Sequence, residues 1–414
     1  MNYDAIIIGG GPAGSSASIS LASRGARVLV LEEKRMPRGK LCGEFITPEC
    51  FPSLERLGVL DQMLLAGATK ITQVCLITSN GKSVRAQVSK MSNDSRWAMS
   101  LSRARFDQIL FDRARDAGAE CVEAIAVKGC LFNDGHPRGV DALSLGDGKR
   151  VTFRAPIIID ASGRNSRLML RKSERNAGRR GSRLYALKAH LAGVDPAPES
   201  VELFFFPQGY GGLARVEEGL VNLCFIVDER TLKTAGGDPQ KVIEASLDNN
   251  RIARERLRAA EVVGKWHSAG PLTFGRRRLT RKRIIAIGDA SGMIDPFTGT
   301  GIQIALRSGE MAAEAVLEAL GEARPWTTQQ RGSADKFDPA PACASIVDSV
   351  LTGYSRLYDR EFTNRMKTAG LLRVAAFSPT VASMFASVLT RAPALTSLIL
   401  RATRSGGHAE TARN

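Results

Sequence analysis

The chain begins with a short apolar run, Asp4-Ala5-Ile6-Ile7-Ile8, that reads as a buried strand, and then turns at Gly9-Gly10-Gly11-Pro12-Ala13-Gly14. Ser15 to Arg24 has helical character and Gly25 stops it, after which Ala26 to Leu31 reads as a second strand ending at Glu32. Pro37, Gly39 and Gly43 make the next stretch a loop, whose basic residues stand close enough in sequence to approach phosphates. Pro48 to Leu60 looks helical. Ile71 to Val88 then alternates polar and apolar positions around Asn80-Gly81, the pattern of a two-residue hairpin. A hairpin here breaks the strand–helix–strand rhythm and predicts a second, β-rich domain interleaved with the first.

The rhythm resumes with a helix from Leu101 to about Ala117, stopped by Gly118, and a strand from Cys121 to Lys128. Asp134-Gly135 and Asp147-Gly148 mark turns between short strands. Ile157-Ile158-Ile159-Asp160 runs into the polar turn Ala161-Ser162-Gly163, as a buried parallel strand does with a ligand at its carboxyl end. Leu184 to Val227 is strand-like, with a turn at Gln208 to Gly212 and a hairpin around Glu217-Glu218-Gly219. Gln240 to Ala259 reads as one charged helix. Arg283 to Ile287 is another buried strand, ending in Gly288-Asp289. A loop from Met293 to Gly301 leads into a helix over Ile302 to Leu320, whose start is a second site friendly to anions. Trp326 to Ala342 reads as a linker, and Ile346 to about Gly370 as a helix.

The first segment carries the clearest chemistry. Strand, G-x-G-x-x-G turn, helix, strand and acid, with Glu32 eighteen residues after Gly14, form a dinucleotide-binding fingerprint in its proper context. Gly9 permits the tight turn, Gly11 leaves the backbone open to a pyrophosphate, and Gly14 lets helix and strand pack closely. Glu32 can accept hydrogen bonds from a ribose diol.

Composition narrows the remaining classes. With 414 residues, 43% hydrophobic and 24% charged, the chain is globular and has room for two or three domains. Seven cysteines without a C-x-x-C pair read as reduced thiols, and four scattered histidines give no metal or serine-triad spacing. No metal is expected. No signal peptide or spanning run is visible, so a cytoplasmic protein is expected. The net charge is +16, but the clusters Arg171 to Arg183 and Arg276 to Arg283 lack interleaved aromatics and read as solvated turns rather than nucleic-acid contacts. From Phe362 to Ala409 there are six basic residues and no acid. Two readings stand for this stretch: helices packed on the body, or a basic foot touching the inner membrane surface.

Together these motifs resemble the FAD-dependent oxidoreductases that include geranylgeranyl reductases, flavin-dependent halogenases and aromatic hydroxylases, most of all the geranylgeranyl-reductase branch. The resemblance runs from Met1 to about Leu320. It implies FAD held by Gly9, Gly11, Pro12, Ala13, Gly14 and Glu32, and by Arg103 of an R-x-x-F-D pattern with Phe106 and Asp107. It further implies Val127 beside the adenine, Asp289 on the ribityl chain, and Gly299, Gly301 and Ile302 facing the flavin ring. Cys42-Gly43 matches the reductases. Ser291 stands where aromatic hydroxylases carry a histidine, and the W-x-W-x-I-P signature of many halogenases is absent. Of the reductases' Y-x-W-x-F-P motif only Tyr210 remains, with Gly212, Ala214 and Arg215 in place of the rest.

The implied architecture is α/β. A glutathione-reductase-like Rossmann FAD-binding domain (1–70, 93–181 and 270–320) is interleaved with a β-sheet substrate domain (71–92 and 182–269). A linker and C-terminal helices follow over 321–414. The implied reaction is reduction of a C=C bond in a hydrophobic small molecule by hydride transfer from the flavin, with Cys42, Glu44 and Tyr210 as candidates near the ring. The alternative is a flavin-dependent monooxygenase, or a halogenase, acting on an aromatic or polyketide-like substrate; a third reading is a non-enzymatic flavoprotein. A single dinucleotide fingerprint leaves NADPH binding transiently, or a reduced partner protein, as the electron donor.

Overall fold

A computed structural model describes residues 3–79, 81–90, 96–166, 168, 183–247, 250–327 and 341–376. The apolar strands of the sequence assemble into a six-stranded sheet in the order Thr280–Arg281, Ile284–Ala286, Ile157–Asp160, Ala5–Ile8, Val28–Leu31, Glu120–Val122. All neighbours are parallel except at the Thr280–Arg281 edge. Ala5–Ile8 lies at the centre and is buried on both faces, which is why its sequence is continuously apolar instead of alternating. Ala5 and Ile7 face a core shared with the helices Pro12–Ala22 and Gly301–Thr327. Ile6 and Ile8 face a three-stranded antiparallel meander, Ile125–Asn133, His136–Ser144 and Arg150–Arg154. The turn after the central strand is tight because Gly9 has φ +106°, and a Cβ on Gly14 would collide with the Gly9 carbonyl oxygen.

The second layer is a seven-stranded sheet in the order Glu261–Ala269, Leu184–Ala192, Val221–Asp228, Gly209–Arg215, Ser200–Phe206, Gln73–Ile77, Ser83–Gln87. The hairpin around Asn80-Gly81 joins this sheet at its far end. Gln73–Ile77 pairs in parallel with Ser200–Phe206. The alternation along these strands divides the side chains between two faces. Leu187, Leu213 and Phe225 pack on the back face with Val242, Ile243 and Ala253 of the helices Pro239–Leu247 and Arg251–Leu257. Ala186, Val201, Tyr210, Ala214 and Ile226 share the front face, toward the first sheet.

The C-terminal helix Pro341–Ala376 buries Tyr354, Tyr358 and Phe362 in the first core. The Tyr354 hydroxyl donates to the Ala286 carbonyl at 2.8 Å, and Ser291 Oγ donates to the Tyr358 hydroxyl at 2.9 Å. The fold is thus an α/β, Rossmann-type dinucleotide-binding arrangement with interleaved β-sheets and a helical C-terminal region.

Several local readings change. Pro48 to Leu60 is a 3-10 turn, Pro48–Cys50, and a helix, Phe51–Arg56, broken at Gly58 (φ 69°) before a separate helix, Leu60–Leu65. Trp326 falls at the end of the helix Gly301–Thr327 instead of opening a linker. The stretch Cys121 to Lys128 is two strands, because Ala124 takes φ 58° and separates Glu120–Val122 of the parallel sheet from the meander. Pro207 and Gln208 make the turn, Gln208 at φ 62°, and Gly209–Arg215 is a strand. Gln240 to Ala259 is two helices, the second capped by Asn250, whose side chain accepts from the Ala253 N–H at 3.1 Å and donates to the Thr78 carbonyl at 3.1 Å. The basic cluster from 171 to 182 and the proposed foot beyond 376 lie outside the described residues. Among the described residues no helix is long and apolar enough to cross a membrane.

Candidate active site

The glycine turn and the loop after Glu32 build one end of the site. Glu32 accepts the Gly10 N–H at 2.8 Å and the Lys34 N–H at 3.0 Å. Arg38 reaches Glu32 at 3.3 Å and Asp107 at 3.2 Å. Arg103 opens the helix Arg103–Asp116 and holds Asp107 through Nε and Nη2 at 2.7 and 2.8 Å. Burial alone would lower the Arg103 pKa, but Asp107 and Cys42 outweigh it and raise it, so the guanidinium stays charged.

This end fits the pyrophosphate of a dinucleotide. A Cβ on Gly11 would meet only Arg38 Nη2, at 3.4 Å, so the outer face of the turn is an open cradle beside cationic side chains. The helix Pro12–Ala22 starts there, and its Gly11 cap has no side chain to satisfy the first N–H groups.

From this cradle a cavity of about 230 Å³ extends between the two sheets. It brings together Gly11, Pro12, Ala13, Cys42, Glu44, Arg103, Tyr210, Asp289, Gly299, Gly301 and Ile302 from segments far apart in sequence. Gly9, Gly14 and Glu32 are not on the lining: the two glycines shape the turn and Glu32 braces it through the Gly10 N–H. Val127 lies on the meander, packed against the Ile6 and Ile8 cluster, away from the lining. At the far end the loop Asp295–Gly299 leads into the N-terminus of the helix Gly301–Thr327. Among the described residues no group of His, Cys, Asp and Glu is arranged to hold a metal ion.

Two buried polar clusters form the walls. Glu44 is fully buried and adopts φ 56°. One carboxylate oxygen accepts the Arg103 backbone N–H at 2.7 Å and pairs with Lys188 Nζ; the other lies 2.7 Å from His190 Nε2. Burial would raise the Glu44 pKa, but His190 and Lys188 hold it below the usual carboxylate range. Lys188 also donates to the Lys40 carbonyl at 3.2 Å, so the cluster ties the Lys40–Glu44 loop to the seven-stranded sheet.

The second cluster is built on Asp295. Its carboxylate accepts from the Tyr210 hydroxyl at 2.6 Å and the Phe297 N–H at 3.0 Å, and lies 3.5 Å from Arg373 Nε of the C-terminal helix. Burial, reinforced by Asp295, pushes the Tyr210 pKa well above its ordinary value. Burial likewise raises Asp295. Tyr210→Phe would leave a buried carboxylate oxygen short of a donor. A loss of about 1–3 kcal/mol in unfolding free energy is expected, measured by urea denaturation.

Cys42 Sγ accepts the Glu44 N–H at 3.3 Å, and the Cys42 carbonyl accepts from Asn222 Nδ2 at 3.2 Å. Burial pushes the Cys224 thiol up to about 12, so this second cavity-wall thiol stays protonated. Sequence reasoning passed over Lys188, His190 and Arg373. The signal for the first two was present. Leu184, Ala186, Lys188 and His190 occupy one face of a strand whose other members are apolar, and a charge on an inward face needs a buried partner.

Comparison with known proteins agrees with this arrangement. Residues 2–330 match the family described as FAD binding domain. Digeranylgeranylglycerophospholipid reductase 2 of Methanopyrus kandleri is 30% identical over 337 residues, covering 78% of each chain. A 1H-pyrrole-2-carbonyl-[peptidyl-carrier protein] brominase of Pseudoalteromonas luteoviolacea is 26% identical over 342 residues, covering 79% of this chain and 80% of that protein. The structure of the flavin-dependent brominase Bmp2 superposes with a TM-score of 0.76 at 20% identity, over 98% of this chain and 95% of the other. A glycine cradle with its cations, leading into a cavity between two interleaved sheets, and a family match over most of the chain lead to one conclusion: this chain belongs to the FAD-binding-domain family and is an FAD-dependent oxidoreductase.

Proposed function

We propose that this oxidoreductase uses oxygen, in the manner of a flavin monooxygenase, on an aromatic or similarly unsaturated hydrophobic molecule held against the front face of the seven-stranded sheet. The observation that carries this reading is the state of two of the three candidate proton donors, Glu44 and Tyr210. Reduction of a C=C bond needs an acid to protonate the second carbon. Glu44 is held as a carboxylate by Lys188, His190 and the Arg103 N–H. Tyr210 keeps its proton, held well above its ordinary pKa and committed to a hydrogen bond with Asp295. Oxygen chemistry asks less of side chains, chiefly an apolar pocket that keeps water out, and the front face supplies an apolar lining.

FAD, when bound and reduced, supplies the electrons for oxygen activation. The chain's own residues bind and exclude water. Gly11, Arg38 and Arg103 would hold the phosphates, and the Glu44 cluster fixes the Lys40–Glu44 loop, which lines the cavity, to the seven-stranded sheet. NADPH or a reduced partner protein delivers the electrons. The pyrrole-directed brominase relative supports an aromatic substrate. The reductase reading keeps one specific point in its favour, Cys42-Gly43 on the cavity wall, together with the reductase relative.

The test incubates the FAD-loaded protein with NADPH under ¹⁸O₂ and a panel of phenols, indoles and pyrroles. Aromatic-stimulated NADPH consumption with one labelled oxygen atom in the product is expected. A brominated product on adding bromide would narrow the reading to a halogenase. Anaerobic saturation of an isoprenoid lipid, with no labelled product from any aromatic compound, would overturn it in favour of the reductase.

A further inference from the structure

Gly212 lies in the interior of the seven-stranded sheet. Across the strands its row reads Leu76, Leu203, Gly212, Cys224, Lys188. A glycine inside a strand weakens the sheet and marks a bulge, a bend or a close approach by something else. Its neighbours have their reason within the protein. A Cβ on Gly211 would stand 2.6 Å from Phe225 Cβ on the back face, and one on Gly209 would collide with the Ile226 carbonyl oxygen. Gly212 has no such reason. Its backbone is outside the left-handed region. A Cβ there would meet the terminal carbon of Leu203 at 2.9 Å, an atom free to swing aside, and the Glu202 carbonyl oxygen at 3.3 Å. The space it leaves opens into the cavity.

The surroundings extend that space. Ala214, the next residue on the same face, and Ala186, two strands away, are also small and line the cavity. The result is a trough along Gly209–Arg215, flanked by Leu203 on one neighbouring strand and Cys224 on the other. The flanking strands are roughly 10 Å apart, twice the usual strand spacing. Tyr210 closes one end, with the Phe297 ring edge-on at 5.6 Å. A floor with no side chain at Gly212 and only methyls at Ala214 and Ala186 exposes flat peptide groups. A flat ring gains dispersion contact over its whole face there, whereas a staggered chain touches it only at intervals.

We propose that Gly212 is the seat of the substrate: a flat, apolar system of about two fused rings lies directly on the backbone at Gly212 and Ala214, and the side chain at position 212 sets the size limit. This deepens the oxygenase reading and rests on it for the reaction that follows, but not for binding.

The experiment therefore measures binding to the oxidised, FAD-loaded protein, with no turnover. The probes are 2-naphthol, flat and bicyclic, and geraniol, an acyclic methyl-branched chain with the same carbon count. The readout is the change in flavin absorption on titration. Saturable 2-naphthol binding that is tighter than geraniol binding is expected. Gly212→Val should weaken 2-naphthol at least tenfold with FAD retained. Gly212→Ala requires a shift of Leu203 and a few tenths of an ångström from the Glu202 carbonyl, so it should stay folded, checked by its Tm, while weakening 2-naphthol by a smaller factor. Unchanged 2-naphthol affinity in the folded Gly212→Ala protein, a preference for geraniol, or no saturable 2-naphthol signal in the unaltered protein would each overturn the proposal. A negative ¹⁸O₂ result would sink the oxygenase reading and leave these binding data standing, and the reverse also holds.

Discussion

Glu44→Gln is expected to lower the unfolding free energy of the FAD-loaded protein by about 3–5 kcal/mol, the cost of leaving a buried charge without its counterion. The Glu44 side chain is fully buried and the Lys188 side chain is 2% exposed, so water cannot take the place of the lost carboxylate. Glutamine keeps an acceptor for the Arg103 N–H, which confines the change to charge. The left-handed φ of 56° at Glu44, a costly conformation for a residue with a Cβ, would also lose the interactions that offset it. Adding Lys188→Met removes the stranded ammonium and should restore much of the loss, so a double-mutant cycle on urea denaturation isolates the pair.

The pH dependence has a definite sign. Because the Glu44 pKa is lower in the folded protein than its usual 4.5, the unfolded chain binds the proton more readily. The cluster's contribution is complete above the ordinary carboxylate range and is lost as pH falls through the folded value. The gap between the unaltered protein and Glu44→Gln should therefore close on acidification. A gap below about 1 kcal/mol at neutral pH, the scale of a solvated surface pair, would mean that this cluster does not hold the loop to the sheet.

Gly11→Leu should abolish the yellow colour of the purified protein while leaving it folded. The added Cβ has room in the protein alone, since it approaches only the mobile end of Arg38. It occupies the space that a pyrophosphate would need beside the start of the helix Pro12–Ala22. A loss of about 3 kcal/mol or more in FAD binding is expected, a factor of some hundredfold. Equilibrium FAD titration followed by fluorescence measures it, and far-UV circular dichroism checks the fold. Retained affinity would show that the phosphates do not lie against this turn.

Much of the architecture was legible because local signals and tertiary context agreed. The continuous apolar strands Ala5–Ile8 and Ile157–Asp160 announced a sheet covered on both faces, and Asn80-Gly81 announced a hairpin. Misreadings fell where one residue decides between two outcomes. Ala124 carries no turn signal, yet its φ of 58° divides a strand between two sheets. Gly209, Gly211 and Gly212 have turn composition, yet pairing on both sides keeps them extended. In the site, the glycine fingerprint was visible because its chemistry is contiguous in sequence. The Glu44 and Asp295 clusters were not, since Lys188 and Arg373 arrive from segments more than seventy residues away and their partners are chosen by packing.

The parallel pairing of Gln73–Ile77 with Ser200–Phe206 also governs how the chain is made. During synthesis the hairpin emerges long before its partner exists. At about 5–20 residues per second it waits roughly 6–25 s with Val74, Leu76 and Val84 uncovered, an amphipathic ribbon with a free edge. The stretch translated in that interval includes the helix Arg103–Asp116, the meander and the central-sheet strand Ile157–Asp160. The nucleotide-binding half is thus largely synthesised before the substrate sheet closes. Cofactor supplied to the nascent chain has an early landing place, and chaperone demand should concentrate in that window.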